Sequence, residues 1–284
     1  MAENQNALSV KQEVANAISN TTIADSILAA FSKLSEQGQL VFPKGYNVGN
    51  ELKLMYTSLS QNELLNQATK ISIGEALTEA VIQGLEIEKK QCYFIVYKNK
   101  MTLFRSYYGD IAVAKRTGLV KEIKSRVIYD GDEFELETNE DGEDYITGHR
   151  TQLLNRDKAI LGAYAWAELP NGKRRYCIMT WNEIQKNWSK SRSGGGVQKE
   201  FPQEMCKRTV IRRLVKMLFN TTPTINDDQI AIIGSYNRTT EEEYDNDYSK
   251  ISEKKGVNNT IDFEEEDVAL TIDNNEENNT QVEE

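Results

Sequence analysis

The stretch that decides the fold is residues 201–220, FPQEMCKRTVIRRLVKMLFN, which has the pattern of one amphipathic helix. Pro202 suits a first helical turn, and Glu204 suits the positively polarised start of a helix. At about 100° per residue, one arc of the helix is apolar and the opposite arc is cationic. The apolar arc carries Val210, Ile211, Leu214, Val215, Met217 and Leu218. The cationic arc carries Arg208, Arg212, Arg213 and Lys216. We therefore expect one side to pack on a core and the other to face an anion.

The cationic row is not neutralised from within its own helix. No acidic residue lies between Met205 and Asn220 to pair with the row at i,i+4 spacing. A row of like charges repels itself unless an anion relieves the repulsion, so the pattern indicates an anionic partner. Lys207 projects toward the apolar arc in the first turn and is a weaker candidate for this role.

The segment before this helix is also basic. Residues 181–199 contain Lys186, Lys190, Arg192 and Lys199 against the single acid Glu183. The sequence TWNE at 180–183 is a capping-box pattern, which predicts the start of a short helix. Three glycines at 194–196 then predict a flexible connection. A mobile basic loop between two helices suits a long polyanion better than a nucleotide, and no G-x-x-x-x-G-K-[ST] motif is present.

Charge divides the chain into a basic body and an acidic tail. The net charge is −10, but residues 225–284 carry 18 acidic and 4 basic residues, so the first 224 residues carry +4. From 234 onward Asn, Asp, Glu, Thr and Ser dominate, and such a composition predicts disorder. An apolar island at 261–273 interrupts the tail, with Phe263, Val268 and Leu270 as candidate anchors for a partner protein. The alternative is an inert solubilising tail.

The chain order predicts an α+β fold. Helical spacing is found at residues 7–18, 23–34, 51–58, 63–68 and 73–83, and period-two alternation at 92–97, 101–105, 120–129, 134–137, 160–169 and 175–180. Residues 107–117 form a further predicted helix. We expect N-terminal helices, a curved antiparallel sheet crossed by a helix, C-terminal basic helices and a disordered acidic tail. The expected domains are 1–88 for subunit contacts, 89–224 as the main body and 225–284 as the tail.

Several classes of site find little support in the residues. Three widely spaced cysteines and the single His149 indicate neither a disulfide framework nor a metal site. The N-terminus has no signal-peptide pattern and no apolar run is long enough for a membrane span, so we expect a cytosolic protein. Acids at 130–137 allow a metal-dependent nuclease as an alternative. Asp130-Gly131-Asp132 is, however, also a typical hairpin turn.

Four strings in this chain resemble the phage RecT-type single-strand annealing recombinases. They are GLEIEKKQCYFIVYKNK, FRSYYGDIAVAKRTGLVKEI, ILGAYAWAEL and EMCKRTVIRRLVKML, which lie in this order between residues 71 and 220. The resemblance implies ATP-independent binding of single-stranded DNA and annealing of complementary strands during homologous recombination, without a cofactor. It implies homo-oligomers on DNA, as rings or helical filaments, in a bacterial host cell that carries the phage or prophage.

The resemblance also implies partner proteins. The expected partners are a phage exonuclease and a host single-strand-binding protein, which the C-terminal part would recruit. We therefore expect a chain ending at Thr224 to anneal pure strands at least as well as the whole chain.

The predicted hairpin and the helix after it would form a second wall of the DNA groove. The candidates there are Lys98, Lys100, Arg105, Lys115 and Arg126, with Tyr107 and Tyr108 either stacking on bases or packing in the core. A passive single-strand coat and an RNA-binding scaffold remain as alternatives.

Overall fold

The computed structural model describes residues 23–37, 42–43, 45–189, 196–224 and 226–248. The predicted helix at 7–18 and the apolar island at 261–273 lie outside these residues. The helices are α1 (Ile23–Glu36), α2 (Val48–Gln61), α3 (Lys70–Ile82), α4 (Tyr107–Arg116), α5 (Trp181–Trp188), α6 (Gly196–Glu200), α7 (Pro202–Thr221) and α8 (Asp227–Tyr248). Short 3₁₀ helices lie at Leu64–Asn66 and Leu153–Asp157. No helix in the described part of the chain is long and apolar enough to cross a membrane.

Antiparallel strands complete the α+β class, which confirms the predicted fold class. The strands are β1 (Cys92–Tyr97), β2 (Lys100–Arg105), β3 (Glu122–Tyr129), β4 (Glu133–Thr138), β5 (Asp144–Arg150), β6 (Ile160–Glu168) and β7 (Arg174–Thr180). Within the described residues they form three sheets, β1-β2, β3-β6-β7 and β4-β5, rather than one curved sheet. Sequence alternation identifies strands but does not say which edges pair, and the predicted strands also omit β5.

The basic helix α7 is the helix that packs on the three-stranded sheet. It lies against β3, β6 and β7, while α4 packs against α7. Ala163, Ala165 and Ala167 of β6 are fully buried beneath it, and these small side chains let the helix approach the strand. A single hydrophobic cluster runs from Ile27 of α1 to Tyr236 of α8. Helices from the predicted N-terminal region therefore share one core with the sheets and with α7.

Local sequence signals account for several boundaries. Lys98 and Asn99 have φ angles of 45° and 63°, so they form the two-residue turn that joins β1 to β2. At α5, Thr180 accepts from the backbone N–H of Glu183, and the Glu183 carboxylate accepts from the backbone N–H of Thr180. The predicted capping box is therefore present, and it fixes the start of α5 directly after β7.

The prediction of disorder from residue 234 onward is wrong for the part that the structure describes. Helix α8 extends to Tyr248, and its Ile232, Ile233 and Tyr236 are buried. These three positions recur at helical spacing, so they form an apolar stripe that packs against β2 and α3. Composition alone conceals such a stripe because Asn, Thr and Glu occupy the other faces. The predicted tail therefore begins with a helix that belongs to the core.

Candidate nucleic-acid interface

Helix α7 places its apolar arc on the sheet largely as predicted. Val210, Ile211, Leu214, Val215 and Leu218 are buried. Met217, which the helical wheel assigns to the same arc, is instead 39% exposed, while Phe219 is buried at 4%. The predicted arc is therefore rotated slightly near its C-terminal end, where α7 meets α8 and the Phe219 ring contacts Tyr236.

The cationic side chains of α7 are partly paired within the protein. This corrects the prediction, made from the sequence of the helix alone, that no acid neutralises them. Arg212 donates from Nε to Asp110 Oδ2 at 3.2 Å and from Nη2 to the Arg105 carbonyl at 2.9 Å, and its side chain is only 18% exposed. Arg208 donates to the Tyr93 hydroxyl at 3.2 Å. The acid that neutralises this part of the row comes from α4, about a hundred residues earlier in the chain.

Three cations remain accessible on the side where α5 and α7 meet. Arg213 and Lys216 of α7 and Lys186 of α5 are exposed, and we call these three residues the α5–α7 cation cluster. Lys186 and Arg213 line one surface depression of about 220 Å³, together with Met179, Glu183 and Asn187. The side chains of Lys186 and Arg213 form no hydrogen bond or ion pair with any described residue. Arg213 and Lys216 are thus the exposed members of the predicted row, and Lys186 adds an exposed cation from α5.

The electrostatics of this depression remain favourable to an anion despite its one acid. Hydrogen bonds from the Thr180 backbone and hydroxyl hold the pKa of the Glu183 carboxyl below its usual range, and nearby Arg213 and Lys186 lower it further. Glu183 is thus committed to capping α5 and stays ionised. Two cations therefore face one anion whose hydrogen bonds are already directed to its own helix start.

The sequence predicts a DNA contact for Arg105, and the structure instead places this residue in the core. Its side chain is fully buried, with Nε donating to Asp110 Oδ1 at 3.2 Å. Nη1 donates to Gln83 and Thr239, and Nη2 donates to the Tyr236 carbonyl and to Thr240. The guanidinium carbon also lies 4.0 Å from the centroid of the Tyr236 ring. We call Arg105, Asp110, Arg212, Gln83, Thr239 and Thr240 the buried arginine network. Arg105 cannot reach DNA while this network is intact.

The motif that carries Arg105 is built for packing. In the string FRSYYGD, Ser106 caps α4 by accepting from the backbone N–H of Gly109 at 3.2 Å. A Cβ at Gly109 would lie 2.0 Å from the Gln91 carbonyl oxygen, so only glycine permits this close approach. Asp110 follows and is fully buried. Most of this string therefore holds α4 against β2 and α7 rather than presenting side chains to solvent.

The other predicted cations are dispersed. Lys115 pairs with Glu122 at 2.8 Å, Lys100 pairs with Glu242 of α8 at 3.4 Å, and Lys207 pairs with Glu204. Lys98 is exposed at the β1–β2 turn, and Arg126 is exposed on β3. Lys190 and Arg192 lie outside the described residues. The structure thus does not gather the predicted second wall beside the α5–α7 cation cluster.

The two predicted stacking tyrosines have different surroundings. The Tyr107 and Tyr108 rings lie 4.1 Å apart between centroids, and Tyr107 packs partly against the core. Tyr108 is 46% exposed. Of these two residues, Tyr108 therefore offers the larger surface to a base.

Acids at 130–137 do not converge on one point. Asp132 is buried and accepts hydrogen bonds from Asn155, Thr151, the Tyr129 backbone N–H and the His149 ring. No group of three His, Cys, Asp or Glu side chains in the described ranges has a geometry that holds a metal ion. Asp132 and His149 instead attach the β4-β5 hairpin to the sheet, because His149 also contacts the Tyr164 hydroxyl at 3.0 Å.

This attachment predicts a specific acid sensitivity. Burial alone would raise the pKa of Asp132, but hydrogen bonds from His149, Tyr129, Asn155 and Thr151 bring the pKa below its usual value. A lowered folded-state pKa stabilises the protein above the unfolded pKa of about 3.9, and this stabilisation disappears as the pH falls through the folded pKa. We expect Asp132→Asn to lower the melting temperature at pH 7 and the deficit to shrink below about pH 4.

The neighbouring Asp130, exposed in the same turn, supplies the matched control. Asp130→Asn should leave the melting temperature nearly unchanged across the same pH series, measured by circular dichroism. Identical melting curves for the two variants at every pH would show that the Asp132 carboxylate does not attach the hairpin.

Comparisons with known proteins agree with the motifs described above. A model of the RecT family matches residues 49–257. Protein RecT from Escherichia coli (strain K12) is 29% identical over 196 residues, which are 65% of this chain and 71% of that protein. The range matched by the family model includes both α7 and the buried arginine network.

Proposed function

The chain belongs to the RecT family of annealing recombinases, and from this premise we propose that it binds single-stranded DNA and anneals complementary strands without using ATP. The protein acts on DNA without a catalytic centre or cofactor of its own. Its role is to bring two strands together during homologous recombination.

The observation that carries this proposal is the α5–α7 cation cluster. Lys186, Arg213 and Lys216 are exposed on adjoining helices, and two of them line a shared depression. Cations of this kind bind phosphates and release the counterions that surround DNA, which favours binding of any sequence. Annealing requires that bases stay free to test pairing, so contacts with the backbone suit the task better than contacts with base edges.

The proposal assigns finer roles to other parts of the chain. Subunits assemble as a ring or filament on DNA through the helical region at 1–88. Lys190 and Arg192, which stand between α5 and α6 in the sequence, are further candidates for contacts with DNA phosphates. Phe263, Val268 and Leu270 recruit a phage exonuclease or a host single-strand-binding protein in the cytoplasm of the bacterial host. These assignments rest on sequence pattern and family membership.

A triple substitution tests the cluster directly. We expect Lys186→Ala, Arg213→Ala and Lys216→Ala together to weaken binding of an oligo-dT strand by at least about tenfold at moderate salt. The slope of log affinity against log salt should flatten by roughly 0.7 for each phosphate that is no longer neutralised. Folding should be preserved because none of the three side chains is buried. Fluorescence anisotropy over a salt series measures both quantities.

A charge-matched control is available elsewhere on the surface. Lys89→Ala, Arg150→Ala and Lys158→Ala also remove three exposed cations, and this variant should keep an affinity within about threefold of the parent. Equal losses of affinity in both variants would mean that binding follows net charge alone. A strand-pairing assay then separates an annealing protein from a passive coat, because a coat would slow the pairing of complementary strands.

A further inference from the structure

The three-stranded sheet has a second face, opposite α7, that the proposed site does not use. Ala163, Ala165 and Ala167 of β6 face α7, so the alternating Tyr164 and Trp166 face the other side. The antiparallel register sets Lys124 of β3 and Tyr176 of β7 directly opposite Trp166. One row across the sheet therefore contains a cation, a tryptophan and a tyrosine.

Two arginines in the neighbouring rows flank this row. The Arg174 guanidinium carbon lies 4.2 Å from the centroid of the Trp166 ring, and Lys124 Nζ lies 5.9 Å from it. Arg126 is exposed in the next row, opposite Tyr164. Lys124, Arg126 and Arg174 form no ion pair with any residue that the structure describes. We call Lys124, Arg126, Trp166, Arg174 and Tyr176 the sheet-face patch.

Acids near the patch limit what it can bind. Glu168 lies on the same face, opposite Arg174 in the register, and Glu122 beside it pairs with Lys115. The β4-β5 hairpin covers Tyr164 through Phe134, whose ring centroid is 5.9 Å away. That hairpin carries seven acids and no Lys or Arg between 133 and 144. A nucleic-acid strand on the patch is therefore confined to a few nucleotides beside the hairpin.

Aromatic rings flanked by cations are the combination that holds single-stranded nucleic acid. Because the Arg174 guanidinium already lies over the Trp166 ring, a base stacks on this cation–aromatic pair, and Lys124 and Arg126 contact the phosphates on either side. A duplex offers no free base face to Trp166, so the patch selects unpaired strands. The confinement by the hairpin predicts a short and salt-sensitive contact rather than a continuous groove.

We propose that the sheet-face patch is a second single-strand binding site, which captures a second DNA strand while the α5–α7 cation cluster holds the first. This inference rests on the proposed function, because it needs a first strand bound elsewhere. The patch lies on the face of the sheet opposite α7, so a subunit can hold two strands without superimposing their phosphates. The patch binds more weakly, which lets the second strand leave this face of the sheet and reach the first strand, where pairing is tested.

The test is a two-strand capture with the full chain. Biotinylated oligo-dT is immobilised, protein is added to saturation, and retention of labelled, non-complementary oligo-dC is then measured. Arg126→Ala with Arg174→Ala, and separately Trp166→Leu, should reduce oligo-dC retention by about tenfold, with oligo-dT affinity within about twofold of the parent. Trp166→Phe should restore retention. Lys89→Ala with Arg150→Ala serves as the control and should retain oligo-dC.

Each outcome of this experiment has a defined meaning. Unchanged retention in both the double-arginine and the Trp166→Leu variants would mean that unfilled α5–α7 sites hold the second strand, and it overturns the proposal. A change in oligomer size without DNA, measured by light scattering, would make the patch a subunit contact and also overturns it. Failure of the parent to bind oligo-dT is a separate result, because that overturns the proposed function itself. Should Trp166→Leu not fold, the double-arginine variant decides alone.

Discussion

A chain that ends at Thr224 is expected to lose its cooperative thermal unfolding transition. It lacks α8 and therefore exposes the surfaces of β2 and α3 on which Ile232, Ile233 and Tyr236 pack. Burial of each such apolar side chain contributes about 1.5–3 kcal/mol. The truncation also removes Thr239 and Thr240 from the buried Arg105 guanidinium. The combined loss is comparable with the total stability of about 5–15 kcal/mol that a typical domain has.

A second truncation provides the control for this result. A chain that ends at Tyr248 keeps all of α8 and should melt within a few degrees of the full chain, as followed by circular dichroism. We therefore no longer expect a chain that ends at Thr224 to anneal complementary strands normally. We expect normal annealing from the chain that ends at Tyr248. A shared melting temperature for the two truncated chains would mean that α8 contributes nothing to the core.

The second large effect is expected at Asp110. Its two carboxylate oxygens each accept from an arginine, Arg105 on one side and Arg212 on the other, at 3.2 Å. Asp110→Asn keeps the shape but removes the carboxylate that the buried arginine network contains. Two guanidinium groups then share a site without their anion, and breaking a buried pair in this way costs about 3–5 kcal/mol. Urea denaturation should show a lower midpoint with a similar slope.

Glu122→Gln is the matched control for this substitution. Glu122 also pairs with a cation, Lys115 at 2.8 Å, but both side chains are about 40% exposed. An exposed pair contributes about 0–1 kcal/mol, so the urea midpoint of this variant should barely move. Equal destabilisation by the two variants would contradict the role of Asp110 as the buried counter-ion.

Asp110→Asn also separates folding from DNA binding. Because Asp110 is fully buried, the folded variant should bind oligo-dT within about twofold of the parent at a temperature well below its melting point. The α5–α7 triple variant should show the reverse, with normal stability and reduced affinity. A large drop in affinity for folded Asp110→Asn would indicate that Arg212 must be held by Asp110 to contact DNA.

Local signals in the sequence predict much of the fold. The capping box at Thr180, the proline at the start of α7 and the alternation of β6 and β7 each depend on residues within a few positions of one another. Such patterns indicate element type and boundaries directly. Local patterns do not predict helix α8, because its polar composition outweighs the helical spacing of Ile232, Ile233 and Tyr236.

Predictions for individual cations are less successful, and the reason is distance along the chain. Arg105 has the sequence context of a surface residue in a hairpin, but its partners Thr239 and Thr240 lie 134 and 135 residues away. Arg212 lacks an acid nearby in sequence because its acid, Asp110, lies 102 residues earlier. Arg213 keeps its predicted exposure because no acid from another element pairs with it among the described residues. Sequence pattern counts charges but does not show which of them the fold neutralises.

The long sequence separations within the buried arginine network have a consequence for how the chain folds during synthesis. Gln83 donates to Thr239 across 156 residues, and Arg105 donates to the same helix. Contacts of such separation raise the contact order and slow folding, because a long loop must close before they form. A nascent chain on the ribosome therefore leaves Arg105 and the bare faces of β2 and α3 uncovered until Thr240 has emerged. During that interval the incomplete core is a site for chaperones and for aggregation between neighbouring nascent chains.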